Sequence, residues 1–310
     1  MYNEELKRQY LEQANERYGQ LNNLVLYFGL TEDMEKKLGK DISQFSLVEI
    51  TEFYKSLCTP SELYIGSINS QLSMYTRWCI NQAIVPDNQN HFDEVNTEIY
   101  LMCVNKNVYR SYFITKDELL VLINGGKIPN VSDAFMILAF FEGICGAGYE
   151  ELLSIRPEDI AGNKIHLHGK KKRVLTISDK LIELAYESAE TYQVYTGNNY
   201  ETVRELEKGD ARDTRCFKKF RTTADPTLEK YAVIKRIKKL QEYLGLNSIG
   251  SKSLLESGRM EMIKQRMKET GMDAEHCLRD KAFRVDLYYR YGALQNISVY
   301  CKKISELLES

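Results

Sequence analysis

The sequence predicts a mainly α protein with a small β-hairpin or sheet, divided into a helical domain over 1–112 and a second domain over 113–310. Three observations carry this expectation. The chain has only 5 prolines in 310 residues, and its long stretches rich in Leu, Ile, Lys and Glu favour helix. Strand-like alternation is confined to two short runs, Lys164–His168 and Arg173–Ile177, which flank a basic cluster. A length of 310 residues is long for one domain and comfortable for two, each able to bury its own core.

The elements follow in order. From Glu4 to Phe28, Leu6, Tyr10, Leu21, Leu24, Leu26 and Phe28 recur at irregular helical spacing. Ser46 as N-cap, with Glu49 three residues on, predicts a helix through Ile50, Phe53, Tyr54 and Leu57. Thr59-Pro60-Ser61 breaks it. A helix is expected from about Glu62 to Ala83, then a turn at Pro86-Asp87-Asn88 and a helical segment from Phe92 to Tyr109. A boundary is expected near Tyr112. Beyond it Thr115 and Glu118 repeat the capping signature, and Gly125-Gly126 ends that helix. Val131–Ile144 is apolar enough to be buried core. The chain then breaks near Gly146, restarts as a short helix at about Tyr149, and turns at Pro157-Glu158-Asp159 into the two β runs. A helix from Ser178 follows, and Ile297–Leu308 reads as a terminal helix with one apolar face, expected to pack within its own chain.

Composition excludes several classes. The net charge is −2, so no global basic coat marks the protein. Charge is nonetheless segregated: residues 1–115 hold 10 Lys/Arg against 15 Asp/Glu, and 164–310 hold 29 against 21. The densest strip is Arg212–Lys239, with 10 basic and 3 acidic residues interleaved with Phe217, Phe220, Tyr231, Ile234 and Ile237. Such a strip serves either as a solvated helix face or as a track for phosphates. Seven scattered cysteines without a CxxC spacing predict reduced, mostly buried thiols. A polar, acidic Met1–Tyr18 predicts no signal peptide, and no apolar run reaches the ~18 residues of a membrane span, so a cytoplasmic protein is expected. Nucleotide-loop, serine-hydrolase and zincin motifs are absent. His166 and His168 alternate on one strand without a third ligand nearby, so no metal or cofactor is expected.

Gly146-Ala147-Gly148-Tyr149-Glu150-Glu151-Leu152, followed by Ser154-Ile155-Arg156-Pro157-Glu158-Asp159-Ile160, resembles the box that opens the catalytic domain of tyrosine recombinases. Gly169-Lys170-Lys171-Lys172-Arg173-Val174 is similar to the family's lysine-bearing β-hairpin turn. Further on the likeness is weaker. Lys252-Ser253-Leu254-Leu255 stands nearest the His-x-Leu-Arg box, Leu278-Arg279-Asp280 stands nearest the Leu-Gly-His box, and Tyr289 lies nine residues beyond Asp280. The resemblance implies a helical core-binding domain and a catalytic-like domain that clamp duplex DNA.

It also implies where the chemistry has gone. The family needs a tyrosine nucleophile, two arginines on the non-bridging phosphate oxygens and a general acid for the leaving oxygen. Here the first arginine position is Gly148, the second is Leu255, with Arg259 reachable only by a shift of frame, and the last histidine is Asp280. The expectation is a DNA-binding protein without recombinase activity. Lys170, Lys171, Lys172 and Arg173 would meet a groove. Arg212, Arg215, Lys218, Lys219, Arg221, Lys235, Arg236, Lys238 and Lys239 would track the backbone, with Lys252 and Arg259 as further contacts. Within the fold family the chain resembles the integrase-like repressors that maintain lysogeny in SPβ-type Bacillus phages. That likeness implies double-stranded DNA as partner, self-association on it, release by a phage-encoded antagonist, and work at the nucleoid of the bacterial host. Two other readings stand beside it: a divergent active recombinase using Tyr288 or Tyr289, and a helical protein–protein adaptor.

Overall fold

The computed structural model describes residues 1–18, 22–170, 172–206, 214–218, 229–294, 297, 300–301 and 304. It divides into two compact units, Met1–Arg110 and Ser111–Ser310.

The first unit is helical: α1 (Glu4–Tyr18), α2 (Asn22–Leu38), α3 (Leu47–Ser56), α4 (Glu62–Asn81), α5 (Thr97–Cys103) and α6 (Lys106–Arg110). The irregular spacing over 4–28 reflects two helices rather than one. The expected segment from Phe92 to Tyr109 likewise breaks into a 3-10 turn at His91–Glu94, α5 and α6, because Asn96 caps a new start by accepting from the Glu98 and Ile99 N–H groups. The Ser46–Glu49 capping box forms, with the Ser46 N–H donating to Glu49 at 2.7 Å. Phe28, Phe53, Tyr54, Ile65, Leu72 and Tyr75 build the core. Beside them lies a fully buried ion pair in which Lys7 Nζ sits 2.6 Å from both Glu35 oxygens. Thr31 Oγ1 and the Ile42 N–H, each at 2.8 Å, complete the hydrogen bonding of Glu35, without which that charge could not be buried.

The second unit is built around α8 (Val131–Phe141), in which ten of eleven residues are buried. Before it comes α7 (Lys116–Asn124), capped by Thr115 with Glu118. After it come α9 (Glu150–Ser154) and an antiparallel sheet of order β1-β2-β3, formed by β1 (Ile160–Ala161), β2 (Lys164–His168) and β3 (Lys172–Thr176). The third strand was not legible because two residues carry no alternation. Register pairs His168 with Lys172 and Ile165 with Leu175, which puts Ile165, Leu167 and Leu175 in the core.

Ser178 caps α10 (Asp179–Glu190). A second hairpin, β4 (Gln193–Thr196) with β5 (Thr202–Glu205), was also missed, since all four β5 residues are exposed and show no apolar face. The chain closes with α11 (Glu229–Leu244), α12 (Ser251–Thr270), α13 (Ala274–Arg279) and α14 (Lys281–Tyr291). Met260, Ile263, Cys277, Leu278, Phe283 and Leu287 form a second core, on which Ile297, Tyr300, Cys301 and Ile304 pack. The terminal segment therefore packs in cis at those positions; Leu308 lies outside the described residues. Among the described residues no helix is long and apolar enough to cross a membrane.

Helix α12 approaches the end of α8 so closely that a Cβ at Gly258 would fall 1.7 Å from the Phe141 carbonyl oxygen. Gly258→Ala is therefore expected to cost ~2–3 kcal/mol or more through forced separation of the two helices. Gly29→Ala, in α2 with open space around its Cβ, is expected to stabilise by ~0.5–1 kcal/mol. Calorimetric Tm values moving in opposite directions for the two variants would bear this out; equal shifts would not.

Candidate nucleic-acid interface

Three left-handed residues shape the loop ahead of α9: Gly146 (φ 72°), Gly148 (φ 63°) and Tyr149 (φ 68°). Tyr149 is a non-glycine in that region and is held there by its surroundings. Its ring lies 5.6 Å from that of Phe140, and its hydroxyl sits 3.2 Å from Ser251 Oγ. Gly148 is exposed, and a Cβ there would touch nothing within 4 Å. The basic hairpin leans on the same loop, since Glu150 Oε1 accepts from the Lys170 N–H at 2.8 Å. Lys170 and Lys172 are exposed. Lys171 lies outside the described residues.

Arg173 does not join them at the surface, which corrects the expectation that it faces DNA. Its guanidinium makes five hydrogen bonds. Nε donates to Glu151 Oε1 at 2.7 Å, and Nη2 donates to Glu151 Oε2 at 2.7 Å and to the Gly143 carbonyl at 2.8 Å. Nη1 donates to the Tyr289 and Arg290 carbonyls at 2.5 and 2.9 Å. Five N–H groups are all that an arginine has, so none remains for a phosphate. Glu151 is buried and also accepts from the Cys145 N–H at 3.0 Å. Burial, reinforced by the Glu151 charge, pushes the Cys145 thiol up to about 11.

The carbonyls at the end of α14 are thus capped by side chains from elsewhere in the unit, where a cation also meets the negative end of the helix dipole. Arg259 acts alike. It is buried, donates Nη2 to the Tyr291 carbonyl at 2.5 Å and pairs Nη1 with Glu256 at 2.6 Å. Its expected role as a DNA contact is therefore also corrected. Arg290 donates back to the Glu142 and Thr176 carbonyls, and the Tyr291 hydroxyl donates to the Phe141 carbonyl at 3.0 Å.

The remaining positions of the resemblance differ in their surroundings. Leu255 is half-buried on α12. Asp280 caps α14 by accepting from the Ala282 and Phe283 N–H groups and pairs with Arg266 at 3.0 Å. The Phe283 N–H, then Arg266, hold its carboxyl below the usual range. Tyr289 exposes its ring, but its hydroxyl accepts from the Val174 N–H at 3.0 Å. Tyr288 is exposed.

Of the basic strip, Lys235 and Lys238 on α11 are exposed, as is Lys252 beyond it on α12. Lys218 and Arg236 are not. Lys218 is buried, donates to the Ala189 carbonyl at 2.5 Å and stands 4.0 Å over the Tyr192 ring. Arg236 is buried against Asp133 at 2.6 Å, Ser132 Oγ at 2.5 Å and the Lys218 carbonyl at 2.8 Å. Its place was legible, because Val233, Ile237 and Leu240 put residue 236 on the apolar face of α11. Lys239 stands 3.6 Å over the Tyr200 ring, and partial burial holds its ammonium below the usual lysine range. Arg212, Lys219 and Arg221 lie outside the described residues.

A cavity of about 640 Å³ opens beside Gly148, lined by Glu150, Leu153, Ser154, Arg156, His168, Arg215, Glu229 and Lys230. Of its arginines and lysine only Arg215 was singled out from sequence as a DNA contact. Arg156 sits alone before a proline, Lys230 is one of many charges in the strip, and nothing in their spacing announces that they meet. Among the described residues no cluster of His, Cys, Asp and Glu could hold a metal.

The MrpR C-terminal catalytic domain family matches residues 113–286, and the MrpR N-terminal core-binding domain family matches residues 1–82. The chain belongs to the MrpR family. This MrpR-family chain has the two-domain, tyrosine-recombinase-like fold, mostly helical with small antiparallel sheets. It is 24% identical over 284 residues to the SPbeta prophage-derived uncharacterized protein YopR of Bacillus subtilis (strain 168), covering 88% of this chain and 84% of that protein. Two crystal structures of a lambda integrase dimer bound to a COC′ core site align at 15% identity over 94% of this chain. They have TM-scores of 0.41 and 0.42, with 96% and 78% of the respective structures covered.

Arg173→Ala is expected to cost ~3–5 kcal/mol, because it strands the buried Glu151 charge and frees the end of α14. Denaturant unfolding checks this; a loss under ~1 kcal/mol, as for an exposed pair, would contradict the closed clamp. A pH dependence follows from Asp280. Its folded value lies below its unfolded one, so its contribution is present above the unfolded value and is lost as pH falls through the folded one. Asp280→Asn is expected to flatten the acid limb of the stability profile and leave the neutral limb's slope unchanged.

Proposed function

We propose that this chain is a sequence-specific DNA-binding protein that does not cut DNA and acts as a phage transcriptional repressor maintaining lysogeny. The observation that carries the non-cutting reading is the state of the positions matched to the family's reacting groups: Gly148 has no side chain, and Asp280 is a carboxylate that caps α14. Strand transfer needs preorganised cations on the scissile phosphate, and losing one such group costs on the order of 3 kcal/mol of transition-state stabilisation. In this chain Gly148 supplies none, and Arg173 and Arg259 are turned inward. Asp280 would add negative charge to an already anionic transition state. The nucleophile candidate Tyr289 has its hydroxyl bound to the β3 backbone, which counts against a divergent active recombinase.

What remains exposed is suited to holding a polyanion. Lys170 and Lys172 project from the hairpin, and Lys235 and Lys238 project from α11. The family's core-binding domain and the likeness to a prophage protein support a phage setting. Work at the host nucleoid, assembly of several copies on an operator and release by a phage-encoded antagonist belong to the same proposal.

The test has two arms. The full chain is expected to bind its operator far more tightly than a random duplex at physiological salt, with log affinity falling linearly in log salt. Lys170→Ala with Lys172→Ala is expected to reduce that slope by ~1.8, two phosphate contacts' worth. On a nicked suicide duplex no covalent adduct is expected, with or without Gly148→Arg. Equal binding to operator and random duplex would defeat the repressor reading; an adduct lost in Tyr289→Phe would defeat the non-cutting one.

A further inference from the structure

We infer that the cavity beside Gly148 is a docking site for a phosphate of the DNA backbone, held by Arg156, Arg215 and Lys230. The inference rests on the DNA-binding reading and names a site for it outside the family's reacting positions.

Three cations reach this cavity from three separate stretches of chain, which is the first reason for the assignment. Arg156 follows α9, and its Nη1 is aimed by a 2.6 Å bond to Thr214 Oγ1, while about half its side chain stays exposed (48%). Arg215 comes from the segment anchored by the Cys216 N–H on the Ile155 carbonyl at 2.9 Å. It reaches Glu229 at 3.4 Å and the Leu153 carbonyl at 3.5 Å. Lys230 is exposed in the first turn of α11. Two lining carboxylates partly offset these charges. Glu150 is engaged by the Lys170 N–H, Glu229 faces Arg215, and His168 Nε2 is 2.8 Å from Asp159.

The second reason is continuity. Lys230, Ile234 and Lys238 fall four residues apart on one exposed face of α11, so the cavity opens onto a track rather than enclosing a free ion. On the other side Glu150 carries the turn that presents Lys170, and His168 pairs with Lys172 across the hairpin. A DNA strand following exposed Lys238 and Lys230 would reach a socket where a planar guanidinium can grip two phosphate oxygens at once. Arg156, Arg215 and Lys230 occupy none of the reacting positions of the fold. The grip therefore does not depend on the chemistry and survives its loss.

The experiment measures binding of the full chain to an operator duplex and to a random-sequence duplex across a salt series. Lys230→Ala and Arg156→Ala are each expected to weaken binding roughly threefold to tenfold on both duplexes and to lower the salt slope by ~0.9. Glu229→Gln is expected to raise affinity on both. Lys230 is exposed, so its variant keeps the fold, and Arg156→Lys retains the charge and is expected to retain most of the slope. If wild type binds DNA and both alanine variants keep its slope, the socket is overturned while the DNA-binding reading stands. If wild type binds no duplex even at low salt, the DNA-binding reading itself fails. A loss confined to the operator would mean base readout and would overturn the phosphate assignment. So would saturable binding of inorganic phosphate alone with the DNA slope of Arg156→Ala unchanged.

Discussion

The Glu151–Arg173 pair ties four parts of the second unit to one another: the loop after α8, the short helix α9, strand β3 and the end of α14. Glu151 is buried, so its charge could not be tolerated without a partner. Arg173 supplies that partner and uses its remaining N–H groups on the Gly143, Tyr289 and Arg290 carbonyls. The orphan carbonyls at the end of α14 would otherwise need water or a Schellman turn. Arg259 and Arg290 extend the same arrangement, one reaching the Tyr291 carbonyl and the other donating to the Glu142 carbonyl. Around this clamp, the close approach of α12 to α8 at Gly258 leaves the helix pair little freedom.

The architecture was legible where local signals are strong. Ser46 with Glu49 and Thr115 with Glu118 form the capping boxes their spacing announces, and the apolar run at Val131 is the centre of a core. The alternation over Lys164–His168 is a strand buried on one face. What escaped had no periodicity to read. β1 has two residues, β5 exposes every side chain, and the segment from 91 to 110 is broken by a cap rather than by Pro or Gly.

The basic residues teach a narrower lesson. Counting charge finds a positive segment, but the count cannot separate a cation facing water from one paired inside. Arg236 sits on the apolar face of α11 and meets Asp133, and Lys218 lies over Tyr192. Helical periodicity flags the first, because residue 236 falls between Val233 and Leu240. Nothing local flags the second, whose partner is a carbonyl in another segment. Conversely, Arg156 belongs to no charge run, and only the folded chain brings it to Arg215 and Lys230.

On the proposed reading, holding DNA and cutting it depend on different residues. Gly148 sits in left-handed backbone between Gly146 and Tyr149, so an arginine there would carry a strained φ. Arg173 and Arg259 cannot turn toward a phosphate without uncapping α14, and Asp280 cannot become a donor without giving up the N-cap of that same helix. Gly148, Asp280 and the Tyr289 hydroxyl, at three of the positions matched to the family's reacting groups, carry turn geometry or internal bonding of the unit. Substitutions that share one network are not independent. Replacing Asp280 or Arg259 alone would therefore disturb that bonding before adding any new contact. The exposed lysines of the hairpin and α11 lie outside that network, so contacts to a polyanion can be strengthened or weakened one at a time.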